Sequence, residues 1–219
     1  MILAENLSVF FGRTRALEAV DLELGDGVFG LFGQNGSGKS TLLRAFAGLL
    51  RPTFGAVTID GSSPRDRSEE IRRSIGYLGH ESGLYPNLTV AENLELFANL
   101  YGVGASRVAE VIDSIGIADR AGTLAAELSA GLKRRAGVAR ALLHEPTVLL
   151  FDEPYANLDD DAASLVSGAI RSWRAPGRTG VIATHGAKIV KAFADGGVIL
   201  KRGRVQTSGR YRRAETNAH

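Results

Sequence analysis

The sequence predicts an α/β fold with a mainly parallel sheet, and three observations support this prediction. Continuous apolar runs, which are typical of parallel strands covered by helices on both faces, lie at 28–32, 147–151 and 180–184. The first run leads directly into a glycine-rich loop and then into a helical pattern. From residue 81 to residue 131 the patterns are mostly helical, which predicts a helical insertion between strands of one sheet.

The N-terminal part of the chain predicts antiparallel strands. Apolar residues alternate on both sides of Gly12-Arg13 between residues 6 and 24, as in two strands joined by a turn. Further strands are predicted at 57–59 and 75–78, and the polar residues at 62–68 between them predict turns. Together they predict an N-terminal antiparallel β subdomain beside the parallel core.

The insertion begins with a helix-start signal at Thr89 and Glu92. This pair matches a capping box, in which both side chains satisfy free backbone N–H groups. Apolar residues then fall on one helical face as far as Tyr101, and Gly102 can end the helix. The apolar positions from 108 to 115 predict a second helix that stops at Gly116.

The C-terminal part predicts helices at 160–173 and 187–194, followed by a hairpin that turns at Gly203. We expect a single domain over 1–219. Its core and β subdomain would occupy about 1–80 and 141–209, its helical subdomain about 81–140, and a flexible basic tail 210–219.

The composition excludes several classes of protein. Of the 219 residues, 44% are hydrophobic and 23% are charged, as is typical of soluble globular domains. A net charge of +2 gives no reason to expect nucleic acid as a partner, and no apolar run approaches the roughly 18 residues that span a bilayer. The lack of cysteine excludes a disulfide scaffold, and residues 1–5 lack the basic start of a signal peptide. The lack of cysteine says little about the compartment, and the cytoplasm is the default expectation.

The glycine-rich loop fits the phosphate-loop pattern of a glycine, four residues and then Gly-Lys-Ser/Thr. Its glycines let backbone N–H groups converge on one anion, and the next helix adds its positive N-terminal end. Lys39 would reach the β- and γ-phosphates, and the Ser40 hydroxyl would bind Mg²⁺. We therefore predict a P-loop NTPase core that binds a nucleoside triphosphate, with Mg²⁺ as cofactor, rather than a turn with a surface lysine. The predicted nucleotide-binding residues are Gly33, Gln34, Asn35, Gly36, Ser37, Gly38, Lys39, Ser40 and Thr41.

Two acidic residues, Asp152 and Glu153, follow the apolar run at 147–151. In a phosphate-loop ATPase a carboxylate at this place holds Mg²⁺, usually through water, and we assign this role to Asp152. Glu153 would then polarise the attacking water. The alternative is two acids that begin a loop, but Pro154 and the apolar run favour the catalytic interpretation.

A third stretch, Leu-Ser-Ala-Gly-Leu at 128–132 followed by three basic residues, resembles the signature motif of the ATP-binding subunits of ABC transporters. The usual form is Leu-Ser-Gly-Gly-Gln, so the chain departs from it at Ala130 and Leu132. The resemblance, which extends over nearly the whole chain, implies that Ser129, Ala130 and Gly131 complete the site of the opposite subunit in a head-to-tail dimer. Without the rest of the chain, the stretch would be simply a helix N-cap.

The same resemblance implies roles for three further residues. His185, after the last core strand, stands where the family carries a switch histidine that senses the γ-phosphate. Asp159 matches an aspartate that communicates across the dimer. Phe11 occupies the place of an aromatic residue that stacks on adenine, although its alternation with Val9 also fits a core residue.

His80 stands where the family normally has a glutamine that touches Mg²⁺. We expect His80 to sense the γ-phosphate or to act in coupling. A neutral imidazole can ligate a metal or hold a water, but Mg²⁺ prefers oxygen ligands, so metal contact by His80 stays an open alternative. Tyr-Leu-Gly-His at 77–80, together with Leu-Ser-Ala-Gly, is similar to the haem-exporter ATPase of cytochrome c maturation. ATPases of drug or polyketide exporters are the alternative.

These resemblances imply an ATP-hydrolysing subunit of an ABC transporter at the cytoplasmic face of the inner membrane. Its partners would be a second copy and integral membrane permease subunits, which we expect to dock around 81–101. The basic tail, with Arg210, Arg212 and Arg213, either touches an anionic membrane surface or is simply solvated. Other hypotheses are a non-transport ABC ATPase, which usually carries two nucleotide domains or long coiled coils, and a regulatory module without catalysis.

Overall fold

The computed structural model of the protein describes residues 1–65 and 69–211. In chain order its strands are β1 (Ile2–Phe11), β2 (Thr14–Leu24), β3 (Gly27–Phe32), β4 (Phe54–Ile59), β5 (Ile75–Leu78), β6 (Val148–Asp152), β7 (Thr179–Ala183), β8 (Gly196–Lys201) and β9 (Arg204–Arg210). Its helices are α1 (Lys39–Phe46), α2 (Glu69–Ser74), α3 (Val90–Tyr101), α4 (Ala105–Ser114), α5 (Ala130–Leu142), α6 (Asp160–Trp173) and α7 (Ala187–Lys191). Two short 3₁₀ turns, Ala118–Arg120 and Ala125–Glu127, lie between α4 and α5.

The strands form two sheets, as the sequence predicts. The antiparallel sheet has the order β2-β1-β4, and the larger sheet has the order β5-β6-β7-β3-β8-β9. All neighbours in the larger sheet are parallel except the final β8–β9 hairpin. Strand β3 therefore lies inside the sheet, and its C-terminal end delivers the phosphate loop to the same edge at which β6 and β7 end.

Hydrophobic residues pack on both faces of the parallel sheet. In β6, Leu149 and Phe151 join one buried cluster while Val148 and Leu150 join another, as expected when side chains alternate between the two faces. The first cluster also holds Leu94 of α3 and other residues of the helical insertion. The insertion thus shares its core with one face of the sheet instead of enclosing a core of its own.

The helix signals at the start of the insertion are confirmed. The Thr89 side chain accepts a hydrogen bond from the Glu92 amide, and the Glu92 carboxylate accepts one from the Thr89 amide. At the other end of α3, Gly102 adopts the left-handed conformation with φ 65°. Both ends of this helix are therefore encoded by short-range chemistry that the sequence displays.

Two local expectations were wrong, and one helix was not predicted. Helix α2 is short and mostly polar and leads directly into β5, so no apolar periodicity marks it in the sequence. Helix α7 ends at Lys191 rather than at residue 194. Arg210 belongs to β9 and donates a hydrogen bond to the Asp26 carbonyl at 2.6 Å, so the frayed tail does not begin there. The remaining tail at 212–219, including Arg212 and Arg213, lies outside the described residues, as do residues 66–68 of the predicted turn.

Within the described part of the chain, no helix combines the length and apolar character needed to cross a membrane.

Candidate functional site

The phosphate loop joins β3 to α1 and owes its shape to glycine. Gly33, Gly36 and Gly38 have φ values of 155°, 74° and 105°, which side chains rarely tolerate. A Cβ at Gly33 would lie 2.3 Å from the Leu200 carbonyl oxygen, and one at Gly38 would lie 2.6 Å from the Ala16 carbonyl oxygen. These two glycines therefore permit both the loop torsions and the close contact with the neighbouring β8 and β2.

Lys39 is the first residue of α1, and its side chain folds back over the loop. The Nζ atom donates hydrogen bonds to the Gly33 carbonyl at 2.8 Å and to the Gln34 carbonyl at 3.2 Å, and the residue is only 7% exposed. The loop's own carbonyls thus hold the ammonium group beside the free N–H groups at the start of the helix. Such an arrangement is built to receive an anion.

A cleft of about 520 Å³ opens beside the loop, between residues 33–37 and residues 199–202 at the end of β8. Phe11 does not line this cleft. It ends β1 at the tip of the β1–β2 hairpin, and it is 50% exposed, so it is not a core residue. Because Ala16 of the same hairpin touches Gly38, the hairpin itself borders the phosphate loop.

Asp152 and Glu153 lie where β6 ends, beside the end of β7. Asp152 is 5% exposed, and its carboxylate accepts no hydrogen bond from the described residues. Its backbone pairs with Ala183 across the β6–β7 ladder. Ser40 lies on α1 next to Lys39. Carboxylate and hydroxyl oxygens suit Mg²⁺, which proteins usually hold with one or two carboxylates, water and substrate phosphates. Within 1–65 and 69–211, no group of three or more His, Asp or Glu residues could hold a metal ion.

Glu153 has a strained backbone and contacts the predicted switch histidine. Its φ of 53° is left-handed, although it is not a glycine, and its amide donates to the Ala183 carbonyl at 2.8 Å. The His185 amide donates to Glu153 Oε2 at 3.2 Å, and His185 Nε2 lies 3.1 Å from Glu153 Oε1. The structure therefore brings together two residues that are 32 positions apart in the sequence.

The signature corner, which we define as Ser129, Ala130 and Gly131, begins helix α5. The Ser129 side chain accepts a hydrogen bond from the Leu132 amide at 3.3 Å, so it caps the helix while its own hydroxyl proton remains free to donate. A Cβ at Gly131 would lie 2.6 Å from the Asn157 carbonyl oxygen. Gly131 thus permits close contact with the loop that leads to Asp159.

Asp159 caps α6 in the same way. Its Oδ1 accepts a hydrogen bond from the Ala162 amide at 2.8 Å, and the residue is exposed. The helix-capping interpretation is therefore correct for Ser129 within one chain, and Ser129 is exposed at the surface. The cap at Asp159 is a further contact that the sequence analysis did not predict.

His80 is exposed on the segment that follows β5, and this segment is attached to α5 by two arginines that the sequence analysis did not single out. Arg134 donates to the carbonyls of Gly79, His80 and Glu153, and Arg140 donates to those of Tyr77 and Ser82. Arg134 is buried although it belongs to a basic run after a helix cap, which usually lies in solvent, and Arg140 is half-buried. No local signal distinguished either residue.

A phosphate loop at the end of an internal parallel strand, with an acidic pair at the end of a neighbouring strand, defines a nucleotide-hydrolysing α/β domain. The family model described as ABC transporter matches residues 17–156. The chain belongs to this family, and it is an ABC-type ATPase.

Individual relatives agree with this assignment. The ABC transporter ATP-binding protein NatA of Bacillus subtilis is 33% identical over 197 residues, which are 87% of this chain and 80% of that protein. The methionine import ATP-binding protein MetN of Rhodospirillum rubrum is 38% identical over 210 residues, but these cover 91% of this chain and only 60% of that protein. These relatives give no support to the specific resemblance to a haem exporter.

Solved structures share the fold. A dimeric ATP-binding cassette in a post-hydrolysis state, bound to ADP and Pi, has a TM-score of 0.87 and 27% identity and covers 98% of this chain and 100% of that chain. The cbiO1 protein of Clostridium perfringens, part of the ABC transporter complex cbiONQ, has a TM-score of 0.79 and 29% identity and covers 95% of this chain and 88% of that chain. The predicted fold class, with its antiparallel subdomain, parallel core and helical insertion, is confirmed.

Proposed function

We propose that this chain works as a transport ATPase in which two copies close head to tail around two Mg·ATP and drive membrane permease subunits. The observation that carries the proposal is the contact between Glu153 and His185 at the strand ends beside the phosphate loop. It gathers a base and a γ-phosphate sensor at one place, and a regulatory nucleotide-binding module would need neither.

In the proposed reaction, water attacks the γ-phosphorus in line, and the bond from this phosphorus to the β–γ bridging oxygen breaks to give ADP and phosphate. Glu153 orients the water and accepts its proton, and Lys39 stabilises the charge on the phosphate oxygens. Ser40 and Asp152 would hold Mg²⁺, which supplies further positive charge when it is bound. The Ser129 hydroxyl and the N–H groups of the signature corner close the site from the opposite subunit.

Phe11, Asp159 and His80 have supporting roles in this proposal. The exposed ring of Phe11 stacks on adenine, and Asp159 transmits closure across the dimer interface. His80 senses the γ-phosphate or takes part in coupling to the permease. Its exposure and its position at the end of β5, next to β6, support this role.

The permease would dock at the groove between the core and the helical insertion. Leu49 and Tyr101 line this groove together with His144, and Leu49 is exposed although it is apolar. This surface would hold the ATPase at the cytoplasmic face of the membrane. The cbiO1 relative, which is described as part of a transporter complex, supports a membrane partner of this kind.

For the cargo we propose haem export, with drug or polyketide export as the alternative. The haem-export hypothesis rests on the Tyr-Leu-Gly-His and Leu-Ser-Ala-Gly stretches alone. The chain spans about 60% of the methionine import proteins, so their substrate is not transferred to it. Copurification of the permease from membranes, followed by mass spectrometry, would identify the transporter type, and a permease unrelated to haem or drug export would exclude both hypotheses.

The catalytic part is tested with the Glu153→Gln variant. A general base contributes typically about 10²–10⁴-fold, so phosphate release should fall by this factor while ATP binding and ATP-dependent dimerisation persist. Glu5→Gln, which changes an exposed acid on β1, is the matched control and should behave as the wild type. Wild-type rates of phosphate release in Glu153→Gln would disprove the proposed role.

A further inference from the structure

Arg134 is a buried cation that contacts three separate parts of the site. It lies on α5, it is 6% exposed, and its Nε donates to the Glu153 carbonyl at 2.8 Å. Its Nη1 donates to the carbonyls of Gly79 at 2.7 Å and His80 at 3.1 Å. One side chain thus links the signature helix, which is α5, to Glu153 and to the His80 segment, which follows β5.

The contact with Glu153 matters because the Glu153 backbone is strained. A non-glycine residue in a left-handed conformation costs roughly 1–3 kcal/mol and persists only when its surroundings hold it. Here the amide of Glu153 is fixed by the Ala183 carbonyl, and its carbonyl oxygen accepts from Arg134 and from the Ala156 amide. Loss of the Arg134 donor would remove the one side chain that fixes this carbonyl among the described residues.

The electrostatic surroundings keep Arg134 charged. Burial lowers the pKa of Arg134, and the nearby carboxylates of Asp152 and Glu153 act in the opposite direction. A buried guanidinium that has carboxylates near it stays ionised and keeps its fixed fork of donors. Because its donors are fixed relative to one another, a movement of one group that Arg134 binds displaces the other groups that it binds.

The close packing of α5 against the His80 segment makes this link short. A Cβ at Gly137 would lie 3.1 Å from both the Cα and the carbonyl oxygen of Ser82, and Arg140 donates to the carbonyls of Tyr77 and Ser82. The segment between Tyr77 and Ser82 is thus held at four carbonyls by two arginines of one helix. A shift of α5 would carry this segment with it.

We infer that Arg134 is a positioning residue that sets the place of the Glu153 carboxylate according to the position of the signature helix and the His80 segment. This inference rests on the proposed function, since it assumes that Glu153 is the base. It assigns to a residue outside the phosphate loop and the signature corner an effect on the rate of hydrolysis that acts through Glu153.

The test compares Arg134→Met and Arg134→Lys in the full chain, with kcat and KM for ATP as readouts. A misplacement of about 1 Å can cost 10²-fold, so kcat of Arg134→Met should fall by up to about 10²-fold while KM stays within about twofold. Arg134→Lys keeps the positive charge and one donor group but loses the planar fork, so it should recover only part of kcat. In the Glu153→Gln background, Arg134→Met should cause no further loss of rate and should leave ATP-dependent dimerisation intact.

Arg135→Met is the matched control, because Arg135 is the next residue on α5 and donates only to the carbonyls of Ile115 and Gly116 within the described residues. Its kcat should stay at the wild-type value. An unchanged kcat in Arg134→Met would overturn this inference but not the proposed function. The same holds for an equal loss of kcat, ATP affinity and thermal stability that Arg134→Lys does not recover. A wild-type chain that binds but does not hydrolyse ATP would overturn the proposed function as well.

Discussion

The phosphate loop and the signature corner both offer anion-binding groups, but they are built differently. The phosphate loop encloses its own cation, with Lys39 buried against the carbonyls of Gly33 and Gln34. The signature corner exposes Ser129 and Ala130 at the surface, and its Ser129 oxygen already caps a helix of the same chain. The phosphate loop is organised within its own chain to bind an anion. The signature corner instead exposes its donor groups to a partner outside the chain. This difference is what a shared site between two subunits requires.

Among the tests of this comparison, the largest effect is expected for Lys39, because the phosphate loop has no other lysine. Loss of a preorganised charge stabiliser typically costs roughly 10²–10³-fold in rate, so Lys39→Ala should reduce phosphate release by this factor and weaken ATP binding. Isothermal titration and a phosphate-release assay measure the two effects. Lys188→Ala, at an exposed lysine of α7, should change neither. Unaltered ATP affinity and turnover in Lys39→Ala would contradict the claim that Lys39 organises the phosphate loop for binding.

Mixing two variants tests whether the signature corner acts on the opposite subunit. Ser129→Ala and Lys39→Ala should each be nearly inactive alone. In a head-to-tail dimer of the two, both defects fall in one site and the other site is intact, so random pairing should restore about a quarter of the wild-type turnover. If the mixture is no more active than the two variants measured separately, the signature corner serves its own chain.

His144, just after the C-terminal end of α5, makes the stability of the fold depend on pH. Burial lowers the pKa of His144, which follows α5 and stacks on Tyr101, to about 4. The unfolded chain binds this proton near pH 6.5, so the stabilising effect of neutral His144 is complete above that pH and is lost as the pH falls towards 4. Between pH 7 and pH 4.5 the free energy of unfolding should fall by roughly 2–3 kcal/mol more in the wild type than in His144→Phe. Equal losses, measured by urea unfolding, would show that His144 is not the group responsible.

The smallest expected effect separates packing from chemistry in the signature corner. Because a Cβ at Gly131 would lie 2.6 Å from the Asn157 carbonyl oxygen, Gly131→Ala should destabilise the fold by about 1–3 kcal/mol. Gly168→Ala in α6, where nothing lies within 4 Å of the added Cβ, should instead stabilise it by about 0.5–1 kcal/mol. Thermal unfolding of both variants measures this difference, and a neutral Gly131→Ala would mean that the Asn157 loop adjusts.

The limits of prediction follow the range of the interactions. The phosphate loop, the capping box at Thr89 and the end of α3 at Gly102 were all predicted, because a few neighbouring residues form them. Helix α2 was missed because it has six residues, most of them polar, and shows no apolar periodicity. Arg134 was missed because its partners Gly79 and Glu153 lie 55 and 19 positions away.

By itself, the sequence determined the phosphate loop, the helix caps and the strands at which they stand, because glycine torsions, helix caps and apolar runs act over a few residues. Only the tertiary structure decided that Glu153 meets His185, that Arg134 holds the Glu153 carbonyl, and that the Ser129 oxygen serves as a cap. Those contacts depend on the order of the strands and on how closely α5 packs against its neighbours. Such distances are fixed by the whole core, and no single segment of the sequence contains them.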